Sequence, residues 1–194
     1  MKELLIKLKA CDPAIEWAGD KTWEEIYNTC HRGDWLLWLH NRTNKEDLQV
    51  RTLAKGHCAN TVRHLMKYDT SLKAVDTAIA YGEGRATRAE LDSAAEAADA
   101  AYADAAAASA EAAFTAARAT YAAATYAKAA YAADDAFAAA RAAVDASHVT
   151  TDYARFKNQK ETADIVRKYI PIELWNIQKM IDELKLEKEV SNEK

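Results

Sequence analysis

The side chains able to do chemistry in this 194-residue chain fall into two short stretches and one long one. Cys30-His31 and His57-Cys58 each set a thiol beside an imidazole, the pairing that makes a nucleophile when the base reaches the sulfur. Neighbours on a helix point in different directions, so neither pair works by itself. Only a Cys30 to His57 contact between helices would form the couple, and a buried reduced thiol is the commoner outcome for such cysteines. His57, Asn60 and His64 recur at i, i+3 and i+7, a helix-face spacing that reads as a half-exposed polar stripe in preference to a ligand set. Glu-x-x-His, His-Glu-x-x-His, calcium-loop and phosphate-loop patterns are all missing from the sequence. The expectation is a protein that is not an enzyme, with no catalytic residues, no metal and no cofactor.

What remains is aromatic and basic. Residues 30–39 read Cys-His-Arg-Gly-Asp-Trp-Leu-Leu-Trp-Leu. Gly33 is expected to break one helix and Asp34 to cap the next. The apolar run that follows is expected to be buried nearly all round, with Trp35 and Trp38 on one face at i, i+3. The Arg-Gly-Asp tripeptide reads as this junction and not as an adhesion motif. Arginine beside aromatic rings can stack on them and hold an anion. The candidate ligand- or partner-binding set is therefore Arg32, Asp34, Trp35, Trp38, His57 and Arg63, with Arg118, Tyr121, Tyr126, Lys128 and Tyr131 from the alanine-rich stretch. Arg32 could equally lock the junction, and the aromatics could equally be core.

The elements that must position these residues are helices. Residues 87–147 contain neither proline nor glycine and are dominated by alanine, the strongest helix former. As one rod they would extend roughly 90 Å, against a radius of gyration of about 16 Å for a compact chain of this size. They are expected to fold back as a helical hairpin, near Ser109 or within 120–125, or to pair with another copy, a dimer being favoured. Capping boxes at Thr22-Trp23-Glu24-Glu25 and Thr87-Arg88-Ala89-Glu90 fix two helix starts. Asp12-Pro13 starts another, Asn44 is expected to cap one long helix through Tyr68, and a further helix covers 71–81. Asp152 caps a helix carrying Phe156, Ile165, Val166 and Tyr169, ended by Ile170-Pro171, and Pro171 begins the last, with Leu174 and Trp175 on its apolar side. No alternation of strand type occurs, so the fold expected is all-α, a multi-helix bundle with a long alanine-rich hairpin and no sheet. One domain over 1–186 and a frayed polar tail over 187–194 complete it.

With 26 Lys and Arg against 30 Asp and Glu, the net charge of −4 gives no reason to expect a nucleic-acid polymer or an anionic membrane as partner. Three cysteines without a Cys-x-x-Cys pair suggest reduced thiols. Lys2, Glu3, Lys7 and Lys9 interrupt the first apolar residues, unlike a signal peptide. A cytoplasmic location is expected.

Several blocks together resemble a known family. Cys11 with Ala14 and Trp17, the 30–39 block, Leu72-Lys73-Ala74-Val75-Asp76-Thr77-Ala78, residues 87–91, the Ala/Tyr tract, and Ala163-Asp164-Ile165-Val166-Arg167-Lys168-Tyr169-Ile170-Pro171 are similar in order to the alanine-rich, immunity-five-like proteins found beside bacterial polymorphic toxins and in phage-type genomes. This chain has Tyr and Phe in the tract where relatives often carry Trp. The resemblance implies a binding protein, encoded by a bacterium or a phage, that neutralises a protein toxin or immune effector in a bacterial cell. It leaves a second class open, a sponge for a small nucleotide-like immune signal, and a weaker third, a hydrolase of such a signal. No catalytic residues come with it.

Overall fold

A computed structural model describes residues 1–44, 46–66, 69–107 and 152–192. These form nine α-helices and two 3-10 turns, with no strand among the described residues. The helices are α1 (Lys2–Lys7), α2 (Asp12–Ala18), α3 (Trp23–Thr29), α4 (Gly33–Thr43), α5 (Leu48–Asn60), α6 (Asp69–Gly82), α7 (Arg88–Ala107), α8 (Asp152–Tyr169) and α9 (Ile177–Asn192); the 3-10 turns are Arg63–Leu65 and Ile172–Leu174. The fold is all-α. None of the described helices is long and apolar enough to cross a membrane. The proposed fold-back near Ser109 or 120–125 lies outside the described residues, and α9 continues to Asn192 through the polar residues where fraying was expected.

Local chemistry explains the starts that were legible. At α3 the Thr22 N–H donates to Glu25 Oε2 at 2.7 Å and the Glu25 N–H to Thr22 Oγ1 at 3.2 Å. Thr87 and Glu90 repeat this exchange at α7, at 2.7 and 3.2 Å.

Four boundaries differ from expectation, each for a stated reason. Asp34 is not a cap: α4 already begins at Gly33, and the Asp34 carboxylate turns back to the Arg32 guanidinium. Asn44 closes α4 instead of opening a helix. The expected helix to Tyr68 stops at Asn60, where the Thr61 and Val62 N–H groups turn to the i−3 carbonyls of Cys58 and Ala59 and the Thr61 hydroxyl donates to Cys58 O at 2.8 Å. At the other end Pro171 opens only a 3-10 turn, because Trp175 is extended and Asn44 Oδ1 takes the Asn176 N–H at 3.2 Å before α9 can begin.

Helix α8 is the central strut, lying against α4 and α5, while α5 packs on α6 and α6 on α7. Two glycines permit these approaches. A Cβ at Gly33 would stand 2.5 Å from the Thr162 carbonyl carbon on α8, and one at Gly56 would stand 2.9 Å from Ile79 Cγ1 on α6. The main core joins Leu4 and Leu5 of α1 to Trp23, Ile26, Leu36, Leu37, Val166, Ile170 and Ile177, and a second cluster gathers Val62, Val75, Ala78 and Leu91. Beside that cluster, Ala74 of α6 meets Ala94 and Ala95 of α7, methyl groups that let two helices approach closely while burying little surface. Leu174, expected on the apolar side of the last helix, is 40% exposed, and Phe156 is 51% exposed.

Candidate functional site

The ends of α1 and α3, the length of α2 and the first half of α4 enclose a cavity of about 430 Å³, within the range of about 300 to 1,000 Å³ usual for small-molecule sites. Three indoles, those of Trp17, Trp35 and Trp38, stand in its wall with Leu5, Leu36 and Ile26, and apart from the indole N–H groups only Lys9, Cys11 and Cys30 among the lining residues carry polar side-chain groups. Each wall is placed by local sequence. Pro13 and Gly19 bound α2, which presents Trp17 to Trp35 at 6.0 Å between ring centroids. The i, i+3 spacing on α4 sets Trp38 beside Trp35.

Cations back the indoles. The Arg32 guanidinium lies 4.6 Å over the Trp35 ring, Arg42 lies 5.5 Å over Trp38, and Lys21 lies 4.7 Å over Trp17. Arg32 is also bidentate on Asp34, with Nε donating to Oδ1 at 2.7 Å. Burial works against the Arg32 charge, but the hydrogen bonds and attraction from Asp34 outweigh it and raise its pKa. Asp34 is itself fully buried. Arg32 therefore neutralises a buried carboxylate, which is the junction-locking role.

The candidate residues do not all meet. Arg32, Asp34, Trp35 and Trp38 form one group beside the cavity. His57 is elsewhere, stacked on Tyr169 with 4.3 Å between centroids and 8° between planes, its pKa lowered by burial. Arg63 makes a bidentate surface pair with Asp76 at 2.6 and 2.9 Å. Arg118, Tyr121, Tyr126, Lys128 and Tyr131 lie outside the described residues. His64 stands in the 3-10 turn, so the stripe with His57 and Asn60 does not form on one helix.

The Cys30 to His57 couple does not form either. The Cys30 thiol donates to the Arg32 carbonyl at 3.5 Å, and burial pushes its pKa up to about 11. Burial likewise drives the Cys58 thiol upward, and it donates to Thr162 O at 3.8 Å. Both sulfurs are held protonated, the state in which cysteine is inert.

The sequence reading missed a buried polar group at the far end of α4. His40 and Lys55 have no exposed surface, and Arg51 is 2% exposed. His40 packs edge-on to Trp175 at 4.8 Å, within the Trp23, Tyr27 and Trp175 cluster. Burial, then Arg51 and Lys55, lower its pKa to about 3, so its 3.7 Å approach to Asp47 is not an ion pair at neutral pH. A histidine with a folded-state pKa below its ordinary value of about 6.5 is protonated preferentially in the unfolded chain. Stability should thus fall as pH drops through about 6.5 toward 3, by about 2 kcal/mol between pH 7 and pH 5 from His40 alone. Urea midpoints across that range should show the decline, and His40→Gln should flatten it; an unchanged decline would mean that His40 is not its source.

Arg167, given no role in the sequence beyond its place in the 163–171 block, ties the α3–α4 junction to α8. Its Nε donates to Tyr27 O at 2.6 Å, another nitrogen reaches Cys30 O, and the Tyr27 hydroxyl donates back to Ile170 O at 3.2 Å. An arginine on the carbonyls ending a helix is a favourable cap, and here it fixes the floor from which Cys30 and Trp35 face the cavity.

In comparison with known proteins, no family model, no curated protein and no solved structure matches this chain.

Proposed function

We propose that this chain is a non-catalytic binding protein that neutralises its target in bacterial conflict by stoichiometric capture, with the target, or an apolar part of it, seated between Trp17, Trp35 and Trp38. The observation that carries this reading is the cavity itself: concave, of ligand size, walled by three indoles and almost free of polar groups. Its one buried thiol, Cys30, is protonated and its adjoining guanidinium is committed to Asp34, features suited to holding a molecule and not to transferring a proton or attacking a bond. A cytoplasmic location and a homodimer joined through the alanine-rich segment belong to the same proposal.

Of the two targets that the family resemblance implies, the cavity favours a small molecule over a flat protein face. A polyphosphorylated nucleotide fits it poorly, since such charges would be desolvated against indole and aliphatic surface with little to compensate them. One observation supports the protein-effector reading: Phe156, His31, Trp17 and Trp35 follow one another at 5.4, 6.3 and 6.0 Å, an aromatic strip backed by arginine and lysine of the kind that dominates binding energy at interfaces. Native mass spectrometry of the protein purified from bacterial cells tests the proposal. The expected result is one retained small molecule per chain, on the order of several hundred daltons for a site of this size. A co-purifying protein in its place would favour the effector reading, and turnover of the captured molecule would overturn the non-catalytic one.

A further inference from the structure

Lys9 is an unusual residue for its backbone. Helix α1 closes with the Lys9 N–H bonded to Ile6 O and the Ala10 N–H bonded to Leu5 O, each at 2.9 Å, with Lys9 at φ 61°. This is the left-handed helix ending in which glycine is favoured, because a Cβ there is strained. Local stability thus argues against lysine at this position, yet Lys9 lines the Trp-walled cavity and is exposed to solvent. Among the described residues its ammonium has neither an ion-pair nor a hydrogen-bond partner. The neighbouring cations are engaged: Arg32 with Asp34, and Lys21 with the Trp17 carbonyl and ring.

We propose that the cavity takes an apolar molecule ending in a single carboxylate, the apolar body lying among Trp17, Trp35, Trp38 and Leu5 and the carboxylate meeting Lys9 at the rim. This rests on the reading of the cavity as the binding site and adds the class of ligand. The count of charges decides it. One unengaged ammonium on an otherwise apolar wall matches one negative charge. A neutral molecule would leave Lys9 without use at a strained position, and a multiply charged one would bury anions against indole. The two cysteines of the wall add nothing cationic, Cys30 being turned to the Arg32 carbonyl.

The test uses octanoate and octanol, probes of one length that differ in charge, titrated into the full chain while tryptophan emission is followed. Wild type should bind octanoate about tenfold more tightly than octanol, as expected for a charge-assisted hydrogen bond. Lys9→Gly should lose that preference, keep its affinity for octanol, and unfold at a higher temperature because glycine relieves the helix ending; Lys9→Arg should retain the preference. Equal binding of the two probes by wild type, or a preference that survives in Lys9→Gly, would overturn the assignment of the carboxylate while leaving the cavity as an apolar site. Binding of neither probe would overturn both.

Discussion

Gly33→Ala should destabilise this protein by about 3 kcal/mol, the upper part of the range for an overpacked core, although alanine is the better helix former by about 1 kcal/mol. The added methyl would stand 2.5 Å from the Thr162 carbonyl carbon and 2.7 Å from both the Ala163 nitrogen and Thr162 Oγ1. Two of those three atoms are backbone of α8 and cannot rotate away. Helix α8 would have to lift from α4, loosening the packing of Val166 and Ile170 with Leu36 and Leu37 and the Arg167 contacts to Tyr27 and Cys30. Thermal or urea unfolding measures this, with a fall in melting temperature of roughly 6 to 12 °C for a chain of this length. A variant as stable as wild type would show that α4 and α8 do not approach at Gly33.

That contact could not be read from the sequence, and the reason separates what was legible from what was not. The Thr22 and Thr87 capping boxes were legible because donor and acceptor lie three residues apart. The all-α class was legible because periodicity and alanine content act locally. Asn44 and Asp34 were misplaced because their side chains answer to other partners: Asn44 to Leu174 and Asn176, some 130 residues on, and Asp34 to Arg32 across the glycine. Helix α5 presented Arg51 and Lys55 one turn apart, a spacing that reads as a solvated stripe. Only the packing of the other helices around α5, with His40 of α4 close by, buries it.

The site was legible in part for the same reason. Trp35 and Trp38 stand together in the sequence and stand together in the wall. Lys9, Cys11 and Trp17 come from the end of α1 and from α2, and nothing in their spacing announces that they face α4. The positive φ at Lys9 is a property of the folded chain, since lysine carries no turn signal comparable to glycine or asparagine.

The central claim is that this cavity holds the captured molecule, and filling it is the most direct test. Ala14 lines the cavity from α2 and is half-buried, so Ala14→Phe places a ring in open volume at a stability change of no more than about 1 to 3 kcal/mol. Wild-type and variant proteins purified side by side and weighed under native conditions should differ in one respect: the retained molecule should be present on wild type and lost or clearly reduced on the folded variant, its Kd raised at least about 30-fold by the removal of about 2 kcal/mol or more of binding energy. The same molecule at equal occupancy on both proteins would contradict the account.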